Sequence, residues 1–270
     1  MHIHPRVSVN PMATVGLSIE DAIGVWKSVG VERIGLNVGQ IEANGWDRTI
    51  DAVRDAGLRV EYLNHGIPCA VTDDAGWAHT EGTMQRAVEG AAALGAHTFY
   101  FCSGPPGDLR WEDAVELLGR RLAPVRAVAD DLGVALALEN GVSSRPELGF
   151  FHTVRDTADA ARQIGIGVCV DLYGCWIEPR LTTTLSENLD LVRLVQVSDF
   201  VIGTLVQPNR WVPGDGDLPL GRLLDDVLGV GYAGLLDLEL LGPAIAEEGP
   251  EPAIRRGVEW LTRELDARGA

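Results

Sequence analysis

The sequence predicts an α/β fold, a single (β/α)8 TIM barrel in one domain over residues 1–270. Three observations predict it. Short apolar runs alternate with amphipathic helical segments from end to end, and eight such runs can be counted. Five helix-to-strand junctions repeat one pattern, VGVERIGL, AGLRVEYL, LGAHTFYF, LGVALAL and IGIGVCV, each with a glycine one to three residues before the strand. The length of 270 residues matches the ~250 that such a barrel typically takes.

The candidate strands, in order, are RVSVN (6–10), RIGLN (33–37), RVEYLN (59–64), HTFYFC (97–102), VALALE (134–139), IGVCVD (166–171), RLVQVSD (193–199) and GLLDLEL (234–240). Helical patterns separate them. Ser18 with Asp21 resembles a capping box ahead of DAIGVWKSVG. WDRTIDAVRDAG and EDAVELLGRRLAPVRAVADDLG both stop at glycine, and PAIRRGVEWLTRELDARGA closes the chain. A doubly wound open sheet would carry a phosphate-cradling glycine pattern after its first strand, but NPMATVGLS holds no GxGxxG.

Composition narrows the function. The hydrophobic fraction of 46% fills a sizeable core, and no run of 18 apolar residues predicts a membrane span. The start, MHIHPRVSVN, lacks the basic and apolar regions of a signal peptide, so the expected location is cytoplasmic. A net charge of −17 argues against nucleic acid and anionic membranes as partners, since phosphates need lysine and arginine to displace their counterions. A small anionic substrate stays open, because one local arginine can hold it. The four cysteines form no CxxC pair and read as buried, reduced thiols.

In such a barrel the site lies at the C-terminal strand ends. These ends offer Asn10, Asn37, Asn64 with His65, Cys102 with Ser103, Glu139, Asp171, Gln196 with Ser198, and Glu239. Glu139, Asp171 and Glu239 each follow a strongly apolar strand, where an isolated carboxylate costs several kcal/mol to bury. Three converging acids also repel one another. The remedies are a divalent cation or protonation of one or two acids, unless each acid simply meets the positive end of the following helix. Carboxylate and amide oxygens suit Mg²⁺ or Mn²⁺ better than a thiophilic ion. Asp237 should share the strand face of Glu239, either beside it or deeper in the barrel. His65 is the best-placed imidazole for holding a substrate hydroxyl or moving a proton, with a structural role as the alternative.

The segments LALEN, VCVDLYGCW, LVQVSDF, NRWVPGDGDLPL and GYAGLLDLEL resemble the xylose isomerase-like TIM barrel superfamily of sugar isomerases and epimerases, dehydratases and type-2 abasic-site endonucleases. The resemblance implies metal ligands Glu139, Asp171, Gln196 and Glu239, with Glu139 and Glu239 as acid and base on opposite faces of the substrate. It implies that Arg210 contacts substrate oxygens. Many members carry histidine at the positions of Gln196 and Gly174, although dehydroshikimate dehydratases also use glutamine as a ligand. Trp176 and Tyr173 suggest a more aromatic wall, with Trp176 as a substrate contact or else a packing residue. In the loop NRWVPGDGDLPLG, Asp217 is expected to cap a helix starting near Pro219, and residues 200–209 are expected to form part of a lid. Arg145 and Arg180 sit in loops after strands five and six.

The expected function is therefore a divalent-metal-dependent isomerase or epimerase of a small polyhydroxy carbonyl compound. Glu139 or Glu239 would remove a proton α to a metal-bound carbonyl, and the other would return it through an enediolate. A lyase or dehydratase with the same first step is the alternative. The expected cofactor is one divalent ion, Mn²⁺ or Mg²⁺, with Co²⁺ or Zn²⁺ as substitutes. The endonuclease branch needs more histidine ligands and a basic face. A non-catalytic barrel would bind no metal. The resemblance also implies a homodimer.

Overall fold

Eight parallel strands close in sequential order into a barrel. The computed structural model describes residues 2–204 and 206–270. Met1 and Leu205, the latter within the segment read as a lid, lie outside the described residues. The strands are β1 (Val7–Val9), β2 (Arg33–Asn37), β3 (Arg59–Gly66), β4 (Thr98–Cys102), β5 (Ala135–Glu139), β6 (Gly167–Asp171), β7 (Val192–Val197) and β8 (Leu236–Leu238). Closure comes from β1 pairing with β8, Val7 opposite Leu236.

Helix α1 (Ile19–Val29) follows β1, and α2 (Val38–Asn44) with α3 (Trp46–Ala56) follow β2. Then come α4 (Asp74–Leu94), α5 (Trp111–Leu132) and α6 (Val154–Ile164), one after each of β3, β4 and β5. The short α7 (Leu172–Cys175) and α8 (Leu181–Glu187) follow β6, α9 (Leu220–Gly229) follows β7, and α10 (Pro243–Glu248) with α11 (Pro250–Arg268) follow β8. None of these helices is long and apolar enough to cross a membrane, among the described residues.

Local chemistry explains most boundaries. The five junction glycines, Gly30, Gly57, Gly95, Gly133 and Gly165, all take the left-handed conformation that ends a helix without a Cβ clash. The Ser18 hydroxyl accepts from Asp21 N at 3.1 Å, as the capping pattern predicts. Asp217 does not cap α9, whose first turn has no side-chain cap. Its carboxylate is drawn instead to Ile202 N, 2.8 Å away across the β7–β8 connection. The cysteines also differ from expectation: all are free, but only Cys169 and Cys175 are buried, while Cys69 and Cys102 are half-buried.

Two apolar cores result. The larger lies between the strands and the helices. The smaller fills the barrel with Tyr62, Tyr100, Ala137, Cys169 and Leu194. Tyr62 fits because Gly35, on the adjacent strand, has no side chain; a Cβ there would run into the Tyr62 ring. Above this plug each strand contributes one more inward residue, and those residues build the site.

Candidate active site

Glu139 ends β5, Asp171 ends β6, and Glu239 lies one residue beyond β8. Glu239 stays in the sheet frame because its N–H donates to Val197 O at 3.1 Å. The structure brings these three acids together: one oxygen from each lies within 4.8 Å of the others. Asp171 and Glu239 are buried, and Glu139 is half-buried at the wall of a cavity of 180 Å³. Burial pushes the Glu139 carboxyl up to about 7, and the Asp171 charge adds to the shift. Burial also holds Glu239 well above the usual carboxylate range, against the pull of Arg210.

Asp171 has two partners. Its Oδ1 accepts from Tyr173 N at 3.1 Å, capping α7, so the helix-end explanation holds for this acid. It also accepts both arms of Arg210, Nη1 on Oδ1 at 3.0 Å and Nη2 on Oδ2 at 2.9 Å. Arg210 Nη1 additionally donates to Ser198 Oγ at 2.9 Å. Arg210 Nη2 stands 2.8 Å from Glu239 Oε2. That contact is an ion pair without hydrogen-bond angles, so the buried Oε2 has no hydrogen-bond partner among the described residues. Burial works against the Arg210 charge, but Asp171 and Glu239 outweigh it and hold the guanidinium firmly protonated. Its carbon lies 4.5 Å from the centre of the Tyr173 ring.

Asp199 places Arg210, a role the sequence reading did not assign. The Asp199 carboxylate accepts the N–H groups of Phe200 (2.8 Å), Gly214 (2.9 Å) and Leu218 (3.0 Å). Its backbone pairs with Trp211, and Arg210 N donates to Leu241 O at 3.0 Å. The loop is therefore tied to the ends of both β7 and β8. A Pro-Gly loop after a strand-final aspartate is the sequence signal that could have revealed this.

Gln196 lies beside Asp171 in the β6–β7 register and is fully buried. Its Nε2 donates to the Tyr100 hydroxyl at 3.0 Å, and its Oε1 accepts from Cys169 Sγ at 3.4 Å. The same hydroxyl accepts from Asn10 at 2.9 Å and Asn64 at 2.7 Å. Gln196 thus joins a polar floor under the three acids. Asp237 anchors that floor deeper in the barrel, accepting from Ser8 Oγ (2.6 Å), Tyr62 OH (2.7 Å) and Asn10 Nδ2 (3.0 Å).

His65 lines the acid cavity, and burial lowers its pKa, so it faces the site as a neutral imidazole. Cys102, a strand end set aside as an ordinary thiol, donates to Glu139 Oε2 at 3.1 Å. Arg145 lines the same cavity and pairs with Glu147. Trp176 does not line it. It belongs, with Gly174, to a neighbouring cavity of 420 Å³. Arg180 lines neither of these two cavities.

The donor set fits a divalent cation. Glu139, Asp171 and Glu239 carry three formal negative charges and Arg210 returns one, leaving the charge of a dication uncompensated. Glu239 Oε2 accepts no hydrogen bond from the described residues and is faced only by the Arg210 ion pair, so it is the carboxylate oxygen most readily turned to a cation.

The sequence profile described as xylose isomerase-like TIM barrel matches residues 10–264. No curated protein sequence matches significantly. Among solved structures, protein SMc04130 from Sinorhizobium meliloti 1021 superposes with a TM-score of 0.84 at 23% identity, covering 94% of this chain and 96% of that one. The apo 3-keto-D-glucoside 4-epimerase YcjR from E. coli gives 0.75 at 19% identity, covering 95% and 98%. The IOLI protein with a bound zinc atom gives 0.80 at 15% identity, covering 97% and 98%. At these identities the likeness is one of fold.

Proposed function

The chain belongs to the xylose isomerase-like TIM barrel family, and on that premise we propose that it is a divalent-metal-dependent isomerase or epimerase of a small polyhydroxy carbonyl compound. The observation that carries this reading is the pair of glutamates lining one cavity, Glu139 and Glu239, whose carboxyl pKa values burial raises, Glu139 to about 7 and Glu239 well above the usual carboxylate range. The E. coli neighbour YcjR, a 3-keto-D-glucoside 4-epimerase, supports the same reaction class.

Glu139, Asp171 and Glu239 would hold the ion, with Gln196 as a fourth ligand once its Oε1 turns from Cys169, and Mn²⁺ or Mg²⁺ suits their oxygens. Such an ion supplies Lewis-acid polarisation of a carbonyl when bound. The protein's own groups handle the proton. A carboxylate with a pKa of about 7 serves as base and as acid at neutral pH with little driving force lost in either direction. Glu139 and Glu239 come from β5 and β8, so a substrate between them meets one on each side. The Cys102 thiol steadies Glu139 by donating to Oε2. Arg210, held by Asp171 and Ser198, turns a fixed positive group toward substrate oxygens. His65, neutral at this pH, offers one donor and one acceptor to a hydroxyl.

Elimination is a second reading. Glu239 keeps its proton well above the usual carboxylate range, which suits it to protonate a departing hydroxyl. The small-molecule substrate is uncharged or weakly anionic on this view. Association as a homodimer belongs to the same proposal, with light scattering as its measurement.

The test is solvent exchange. Mn²⁺-loaded protein is incubated with a panel of keto sugars in D₂O, and deuterium at the α-carbon is read by NMR. Epimerisation gives a labelled epimer, and elimination gives an enone. No exchange with any keto sugar, in protein shown to bind Mn²⁺, overturns the proposal.

A further inference from the structure

We propose that the cavity behind Tyr173 is a second substrate subsite, which takes an uncharged ring attached to the polyhydroxy compound whose reacting end lies at Glu139 and Glu239. The substrate class is then a glycoside rather than a free monosaccharide.

Continuity is the first ground. The 420 Å³ cavity shares Val142, Tyr173 and Gln207 with the 180 Å³ acid cavity. Small-molecule sites usually span about 300–1,000 Å³, so the acid cavity alone is small and the pair together is of ordinary size. Tyr173 is the partition. Arg210 packs on its ring from the acid side, and Phe200 meets it edge-on with ring centres 5.4 Å apart. The Tyr173 hydroxyl donates to Gln207 Oε1 at 3.1 Å and so ties the β6 and β7 loops at the junction. Gly174 follows with no side chain to close the cavity, and a Cβ there would meet Asn140 Nδ2 at 3.0 Å.

Lining chemistry is the second ground. Trp176, Ile177, Phe200 and Tyr173 give flat or apolar faces. Ile177 is 71% exposed, a large apolar surface left in water at the rim. Among the described residues, no lysine or arginine lines the cavity. Its one carboxylate, Glu178, is committed to the first turn of α6 through the N–H groups of Val154 (2.6 Å) and Arg155 (3.1 Å). His152 is kept neutral by burial, and its Nδ1 is buried with no hydrogen-bond partner among the described residues. The rest of the polar lining is uncharged, Ser143, Ser144, Thr153 and Gln207, so a ligand here is a ring with polar atoms on it and no net charge. An aromatic aglycone and the face of a second sugar ring share that chemistry.

The inference rests on the proposed reaction only for the polar end of the substrate, and the experiment separates the two. Full-length Mn²⁺-loaded protein is titrated by calorimetry with methyl β-D-glucopyranoside, phenyl β-D-glucopyranoside and cellobiose, and by saturation-transfer NMR with phenol, which carries a ring alone. The phenyl glucoside or cellobiose is expected to bind about tenfold tighter than the methyl glucoside. Whichever gains identifies the ring. Ile177→Asp and Phe200→Leu are each expected to cut the gain below about threefold, with circular dichroism confirming the fold. The exposed Ile177 makes its variant the one least dependent on packing. Equal affinity for the three glycosides, or a gain that survives both variants, overturns the subsite. If no glucoside binds, phenol decides: a transfer signal lost in Ile177→Asp supports the subsite, and its absence overturns it. Ring selectivity without deuterium exchange would instead sink the proposed reaction and leave the subsite standing.

Discussion

Two layers of the barrel bury acids, and they treat them oppositely. On the floor, Asp237 is pushed up in pKa by burial, yet it receives hydrogen bonds from Ser8, Tyr62 and Asn10. At the mouth, Glu239 has an oxygen with no hydrogen bond, and Glu139 receives only the weak donor Cys102. Desolvation is the same kind of cost in both layers; satisfaction differs. Asp237, with its donors supplied, is structural, whereas the mouth acid Asp171, also fully bonded, has Arg210 as the partner that holds it. A buried acid left short of donors is poised for something that arrives later.

The comparison breaks most visibly in activity. Glu139→Gln and Glu239→Gln are each expected to cut turnover of the exchanging sugar by about 10²–10⁴-fold, while urea melts of the metal-free variants show stability unchanged or raised. Asp237→Ala is expected to do the reverse. It leaves three buried donors without an acceptor, and the midpoint in urea should report a loss of about 3 kcal/mol. A destabilised Glu239→Gln and an unaffected Asp237→Ala would erase the distinction between the layers.

Acidity sharpens it. Glu139 and Glu239 must each lose a proton to bind metal, so Mn²⁺ affinity measured by calorimetry should rise by at least about tenfold per pH unit up to about 7 and level off only once both are ionised. The metal-free stability should run the other way. A carboxylate whose folded pKa is raised holds an extra proton in the native state, so its contribution is greatest below the unfolded value of about 4.3 and is lost as pH rises to about 7. Arg210→Met probes the same layer more gently. Removing the internal cation is expected to tighten Mn²⁺ about tenfold and to lower the melting temperature of the metal-free protein, since Asp171 then lacks its partner. The smallest effect belongs to Tyr62→Phe. It removes one of three donors to Asp237, and a loss of about 1 kcal/mol in urea is expected.

Much of the mouth is legible in the sequence. Parallel strands expose their last residues at one face, so Glu139, Asp171 and Glu239 could be picked from LALEN, VCVD and LDLEL without coordinates. Barrel closure is what hides the rest. Tyr100 and Gln196 stand on β4 and β7, three strands apart across the barrel interior, and no local pattern tells that an amide on one will reach a phenol on the other. Asp217 misled for a related reason, because an aspartate just ahead of a helix looks like a cap unless a loop N–H claims it first. Trp176 lies five residues from Asp171 along the chain but behind the Tyr173 partition, a turn of the short α7 that spacing alone does not fix.

The Asp199 anchor separates two tasks within a single connection. Its three N–H bonds and the Trp211 pairing fix Arg210 from the strand ends. Phe200 and Gln207, by contrast, come from the stretch between Asp199 and Arg210 and line the cavity proposed to take a ring. Selection on that stretch can remodel what the protein accepts while the arginine keeps its post. A library confined to Trp176, Ile177 and Phe200, which line that cavity and not the acid cavity, is thus the natural place to evolve new acceptor rings without disturbing the acid pair.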